Sequence, residues 1–394
     1  IKMKNNFVKK ISKTLETILY YPKKFIPLHE PTFFLNEKKY LDNCIKEGFV
    51  STAGRFVNEF EKKVKELTKS KHAVAVVNGT AAIQIALKLV GVKKDDEVLV
   101  PGITFIGSVN AILYNNATPH FVDSEIDSFG VNVEKLRSYL KKNSIIKNKI
   151  CYNKNTKKII RALIVVHVFG HAAEISKLKK LSKDFHIPIV EDAAEAIGSY
   201  YNNKHLGTFG EMGVISFNGN KTITTGGGGI LLTNNKTLAL KAKHLTTTAK
   251  IPHKWEYIFK ETGYNFRMPN INAALGLAQI KKLKIILSNK KRVYKIYKDY
   301  FSQIEGVNLM SQPKKCNSNF WLQTLILDKN FSKYKELILE ETNKKNIGTR
   351  PCWKPLHKLR HLQNFPRMDM SIANEIYKRI INIPSSSHLK MKKK

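Results

Sequence analysis

Lys221 stands in Ser216-Phe217-Asn218-Gly219-Asn220-Lys221-Thr222, directly after an apolar run from Gly213 to Phe217 and shortly before four consecutive glycines, Gly226 to Gly229. A lysine amine that is desolvated or set beside other cations becomes a nucleophile able to form a Schiff base with a carbonyl. The glycines would let the backbone approach a flat or anionic ligand closely. The competing reading is a solvated loop lysine, because the chain carries 68 Lys and Arg residues.

Three other groups carry chemistry. Asn78-Gly79-Thr80-Ala81-Ala82 places a Gly-Thr pair where a strand gives way to a helix. Free N–H groups, a hydroxyl and the positive end of the helix dipole would make a phosphate cup there. An ordinary N-cap by Asn78 or Thr80 is the alternative. Glu191-Asp192-Ala193-Ala194-Glu195 ends another apolar strand. A carboxylate at that place is expected to be buried and to need a partner. A protonated pyridine nitrogen would serve for Asp192, and a helix N-cap is the competing role. Phe105, in Pro101-Gly102-Ile103-Thr104-Phe105, could stack on a planar ring or fill the core.

The elements that must position these residues alternate strand and helix. Strands are expected at His72–Val77, Glu97–Val100, Phe121–Asp123, Ala162–His167, Ile187–Asp192 and Gly213–Phe217. Helices are expected at Ala81–Leu89, Gly107–Tyr114 and Ile175–Phe185. This order argues for an α/β fold with a mostly parallel sheet covered by helices on both faces. In such sheets ligands bind at the carboxyl ends of the strands, where the candidate groups fall. We divide the chain into a basic N-terminal arm (1–30), a large domain (31–250) and a smaller α+β C-terminal domain (251–394). The last contains a long Lys-rich helix from about Ile271 to Phe301. Lys141–Lys158 reads as a surface insertion, and Lys390–Lys394 as a disordered tail.

A phosphate cup, a ring-nitrogen carboxylate, a stacking face and a Schiff-base lysine together form the set that pyridoxal phosphate needs. With Gly226–Gly229 and Gly263-Tyr264-Asn265-Phe266-Arg267-Met268-Pro269 in the same order, the chain resembles the DegT/StrS-type sugar aminotransferases of fold type I over about residues 25–388. The resemblance implies a large domain with a mixed, mostly parallel sheet and a smaller C-terminal domain. It implies that Lys221 carries the cofactor, that Thr80 and Ser216 hold its phosphate, and that Asn265 reaches the phosphate in a neighbouring subunit, so that the active unit is a homodimer. Related sugar dehydratases carry histidine in place of this lysine, so Lys221 favours amine transfer. The stretch Asn218–Gly229 looks most like the branch feeding bacillosamine and legionaminic acid. Perosamine synthases are similar but usually carry a glutamate within the glycine run. The implied reaction moves an amino group from L-glutamate to C4 of a nucleotide-linked 4-keto-6-deoxy sugar. A UDP-linked N-acetylglucosamine derivative is the first candidate, with GDP and dTDP sugars open. Arg350, in Thr349-Arg350-Pro351, is the candidate for a substrate anion, since a guanidinium pairs with phosphate bidentately. Asn218 and His167 join it as substrate-binding candidates, His167 with a structural role as its alternative. Glu195 would contact the sugar or orient the cofactor.

The bulk numbers bound this reading. At 394 residues and 42% hydrophobic composition the chain can bury two or three cores. The net charge of +37 would suit an anionic partner or a phosphate-bearing substrate. Its lysines are dispersed and outnumber arginines, so nucleic acid is not the expected partner. Four cysteines without metal spacing, no signal-like apolar stretch and no 18-residue apolar run fit a cytoplasmic protein that binds no metal and spans no membrane.

Overall fold

The computed structural model describes residues 2–51 and 53–394. Short apolar runs bounded by turn residues form β1 (His72–Val76), β2 (Glu97–Pro101), β3 (Thr118–Val122), β4 (Ile160–Val166), β5 (Ile189–Asp192), β6 (Met212–Ser216) and β7 (Gly229–Thr233). They make one sheet in the order β1-β7-β6-β5-β4-β2-β3. All neighbours are parallel except at β7, which runs antiparallel to both β1 and β6. Every residue of β2 and β6 is buried, as expected for strands covered on both faces.

The pleat sorts side chains between two layers. Val74, Val76, Val214 and Leu231 point into a core shared with α4 (Gly79–Leu89), α5 (Ile106–Tyr114), α6 (Val133–Asn143), α7 (Ile175–Phe185) and α8 (Lys236–Thr246). Their neighbours Ala73, Ala75, Ile215 and Leu232 point the other way. There they meet Phe56 and Phe60 of α3 (Arg55–Thr68) and Ala273 and Leu277 of α9 (Asn270–Phe301). The helix α2 (Asn36–Lys46) lies against α9 on the same side.

The C-terminal half of α9 leaves this layer and enters a third core. That core is built on an antiparallel sheet, β8 (Val307–Leu309), β9 (Gln323–Leu327), β11 (Ile380–Ile383) and β10 (Arg350–Pro351), in that spatial order, with α10 (Lys335–Lys344) and α11 (Ser371–Arg379) nearby. The expected arm belongs here. Residues Lys2–Ile18 form α1, whose Phe7, Ile11, Leu15 and Ile18 recur every three or four positions and are buried against Val293, Tyr297 and Ile338. That stripe is the ordinary pattern of a packed amphipathic helix, and Lys9, Lys10 and Lys13 occupy its other faces. The tail expected to be disordered is also held. Leu389 and Met391 are buried in the same core, and the Lys392 N–H donates to the Ile18 carbonyl at 2.8 Å.

The Lys141–Lys158 insertion is a hairpin, Ser144–Lys147 paired with Ile150–Asn153. It is tethered by a buried carboxylate rather than left loose. Glu97 accepts from Asn153 Nδ2 at 2.9 Å and from the Thr156 hydroxyl, and pairs with His120 Nδ1 at 2.7 Å.

Candidate active site

Three strands deliver the chemistry to one place. Asp192 is the last residue of β5, Ser216 the last of β6, and Asn78-Gly79 follow the end of β1. They border a cavity of about 340 Å³ that also takes in Thr80, Phe105, Glu195, Asn218 and Lys221.

At its floor, Asn78 caps α4 by accepting the Ala81 N–H at 2.8 Å. The amides of Gly79 and Thr80 lie ahead of that bond, in the turn where a helix has no internal acceptor to offer them. Cap and anion cup therefore coexist. A Cβ on Gly79 would come within 3.1 Å of the Ser216 Cβ, so this glycine is what lets the Ser216 hydroxyl share the cup.

Asp192 is buried, and its two oxygens are oriented separately. Oδ2 accepts from the Ser108 hydroxyl at 2.6 Å and Oδ1 from the Ala194 N–H at 3.1 Å. Ser108 is itself 3.1 Å from the Thr104 hydroxyl. Residues 193–198 form turns, so the N-cap role for Asp192 falls away. Phe105 precedes α5 with its side chain 56% exposed at the cavity, which removes the core-phenylalanine reading and leaves a free ring face.

Lys221 follows β6 in a turn closed by its own N–H to the Asn218 carbonyl, 3.0 Å. Its Nζ lies 3.4 Å from Glu195 Oε1 and 4.0 Å from the centre of the Trp321 ring. Glu195 Oε2 accepts the Phe169 N–H at 2.8 Å. Burial raises the Glu195 carboxyl to about 7, although the Lys221 amine and the Phe169 amide pull the other way. Glu195 thus exchanges its proton near neutrality, next to the amine.

The glycine run does not face the cavity. Gly226 adopts a φ of +79°, and a Cβ on Gly229 would meet the Asn78 carbonyl carbon at 2.5 Å. The close approach is made to the backbone of the cup, from behind, and not to a ligand.

Three expected residues lie elsewhere. His167 is fully buried with both ring nitrogens engaged. Nδ1 accepts the Ala173 N–H at 3.2 Å, so Nε2 is left to donate to Glu191 at 2.9 Å. Its position is structural and not substrate-binding. Burial alone would raise the Glu191 carboxyl, but the His167 bond and the Gly210 and Gly207 amides hold it below its ordinary value. Arg350 sits in β10 at the edge of the small sheet. It donates to Asn343 Oδ1 and to the Thr349 carbonyl, both at 2.9 Å, and does not border the cavity. Asn265 is exposed, bridged to Thr247, and also outside its own chain's cavity.

The donor set fits pyridoxal phosphate. It comprises an anion cup at a helix N-terminus, a carboxylate fixed opposite, an exposed aromatic face and an amine at the rim. The signature of the DegT/DnrJ/EryC1/StrS aminotransferase family matches residues 34–394. The chain belongs to this family. It is 35% identical over 364 residues to a GDP-perosamine synthase of Vibrio cholerae, covering 91% of this chain and 94% of that one. It is 28% identical over 345 residues to the UDP-4-amino-4,6-dideoxy-N-acetyl-beta-L-altrosamine transaminase of Campylobacter jejuni, covering 87% and 88%. Among solved structures it resembles Helicobacter pylori PseC, an aminotransferase of pseudaminic acid biosynthesis, with a TM-score of 0.84 at 25% identity over 93% of this chain and 95% of that one. It is a pyridoxal phosphate-dependent aminotransferase. No helix among the described residues is long and apolar enough to cross a membrane.

Sequence reasoning missed Ser108 and Trp321. Ser108 lies on the buried face of a helix, with nothing in its flanks to mark it. Trp321 comes from the small-domain side, a hundred positions from Lys221, and only the fold joins them.

Proposed function

We propose that this aminotransferase takes the amino group of L-glutamate and delivers it to C4 of a nucleotide-linked 4-keto-6-deoxy sugar, with a UDP-linked N-acetyl sugar as the first candidate. The observation that carries the reading is the meeting of Lys221, Glu195, Asp192 and the α4 N-terminus in one cavity. Pyridoxal phosphate, when bound, supplies the electron sink for the carbon that loses its proton. Gly79, Thr80 and Ser216 would hold its phosphate, and Asp192, fixed by Ser108, would keep its ring nitrogen protonated. Phe105 would cover the ring, and Asn218 at the rim is available to the sugar. The Lys221 amine would carry the cofactor at rest and move the proton in each half-reaction. Glu195 would hold or return a proton at that amine.

The C4 position draws support from the Campylobacter relative, whose name places an amine on C4. The sugar nucleotide is the open choice, because the Vibrio relative is named for a GDP sugar. Incubating the enzyme and glutamate with UDP-, GDP- and dTDP-4-keto-6-deoxy sugars, and measuring 2-oxoglutarate in each, decides it. Release with the UDP sugar supports the reading, and release with none of the three contradicts it.

A homodimer with shared sites is part of the proposal. Asn265 does not border the candidate active-site cavity of its own chain. Just before it, the hairpin through Lys250–Ile251 and Ile258–Phe259 exposes Trp255 (70%), Tyr257 (77%) and Phe259 (55%). Such an apolar patch marks an interaction surface. If Asn265 completes the partner's site, mixed Lys221→Ala and Asn265→Ala chains regain activity that neither has alone. No regain on mixing rules out shared sites.

A further inference from the structure

Lys290 is a lysine that the proposed chemistry does not use. It sits on α9, is 0% exposed, and points behind the wall of the candidate active site. Its Nζ donates to the Ser385 carbonyl at 2.7 Å and the Trp321 carbonyl at 2.9 Å, and meets His29 Nε2 at 3.0 Å. None of the three is an anion. Burial drives the amine well below its ordinary value, and burial together with the Lys290 and Lys221 amines does the same to His29. A neutral amine and a neutral imidazole can share one hydrogen bond without burying a charge.

What these bonds hold is Trp321. The Trp321 N–H donates to Asn319 Oδ1 at 2.9 Å and to the Phe169 carbonyl at 3.1 Å. Its indole Nε1 donates to the Asn220 carbonyl at 2.8 Å, one residue before Lys221. Its ring faces the Lys221 amine at 4.0 Å. The His29 ring lies 6.3 Å from the Trp321 ring.

The segment bearing His29 is fastened to the C-terminal loop. The Ser385 N–H donates to the Leu28 carbonyl at 2.8 Å, the Glu30 N–H to Ser386 Oγ at 2.8 Å, and Thr32 and Ser387 share a hydroxyl bond of 2.6 Å. Lys290 is the point where these two segments and the Trp321 backbone meet. His29 precedes the residues matched by the family signature, which begins at 34.

We propose that Lys290 is a positioning residue for Lys221: with His29 it pins the Trp321 backbone, so that the indole fixes the Asn220 carbonyl and presents its ring to the Lys221 amine. The inference rests on the aminotransferase reading only in that Lys221 is the reacting lysine. Removing the Lys290 amine frees Trp321 to shift. A displacement of about 1 Å at a reacting group costs on the order of 100-fold in rate.

The test compares Lys290→Met, Trp321→Phe and their double variant with the wild type. If the brace positions Lys221, each single variant lowers kcat in the glutamate half-reaction by about 10–100-fold, with little change in KM. The double variant then falls no further than the worse single one, because both act through one contact. In the cofactor-free protein, Lys290→Met also makes the fluorescence lost in Trp321→Phe more accessible to acrylamide, a change that a remote stability effect does not produce. A folded Lys290→Met with wild-type kcat and quenching overturns the proposal, as do additive losses in the double variant. Should Lys290→Met give no cooperative melt, His29→Ala decides: a similar loss in kcat supports the brace and an unchanged kcat overturns it. Failure of the aminotransferase reading is distinguishable, since the wild type would then release no 2-oxoglutarate.

Discussion

Two lysines touch Trp321, Lys221 at its ring and Lys290 at its carbonyl, and meet different surroundings. Lys221 faces the cavity, with a carboxylate 3.4 Å from its amine and an aromatic ring at 4.0 Å. Lys290 is sealed behind the same residue among two carbonyls and an imidazole. Lys290 is the more deeply buried, and burial drives its amine well below its ordinary value, yet no substrate can reach it. Burial alone does not make a lysine a catalyst. Lys221 differs in having access, a proton partner that titrates near neutrality, and an anion cup and a fixed carboxylate bordering the same space.

The contrast can be broken most severely at Lys221. Lys221→Ala should remove the visible absorbance of the bound cofactor and lower turnover by about 10²–10⁴-fold or more. Full activity in that variant would deny Lys221 its assigned place. Next comes the carboxylate. Asp192→Asn should lower kcat by roughly 100-fold, because an amide cannot keep the ring nitrogen protonated. Ser108→Ala, which frees one oxygen of the same carboxylate, should give a smaller loss in the same parameter. Steady-state kinetics that rank Ser108→Ala above Asp192→Asn would refute the ordering.

Glu195 sharpens the comparison through pH. Its carboxyl is raised from 4.5 to about 7 in the folded chain. Between those values the unfolded chain has lost the proton and the folded chain keeps it, so this group makes stability fall as pH rises through the window. The whole effect is on the order of 3 kcal/mol. Glu195→Gln should flatten the decline of the cofactor-free protein between about pH 4.5 and 7 and leave it more stable than the wild type above that range. Denaturant melts at several pH values check this, and an unchanged slope contradicts it. The smallest expected effect is at Arg350, whose guanidinium donates to Asn343 and Thr349 and does not border the cavity. In this account Arg350→Ala leaves substrate KM unchanged, and a large rise would return Arg350 to the substrate site.

The strand-end motifs were legible because β/α alternation forces their position. Once β5 and β6 are parallel neighbours, Asp192 and Ser216 must emerge side by side. Other features follow from contacts that local patterns do not specify. Gly226–Gly229 carry the composition of a ligand loop, but the close approach made by Gly229 is to the backbone of Asn78. The first thirty residues look like a basic arm when lysines are counted. The spacing of Phe7, Ile11, Leu15 and Ile18 was the better signal, and it needed the surface of α9 and α10 to have meaning. His167 ends a strand like a site residue and is instead consumed by Glu191 and Ala173. Trp321 and Lys290 could not be joined to Lys221 from sequence, because the chain returns to that turn only through the small sheet and the long helix.

The difference between the two lysines can be read chemically in one experiment. Enzyme loaded with pyridoxal phosphate is reduced with borohydride, digested and mapped by mass spectrometry. The account predicts a pyridoxyl group on Lys221 and none on Lys290. A label on Lys290, or one spread evenly over the surface lysines, would contradict it.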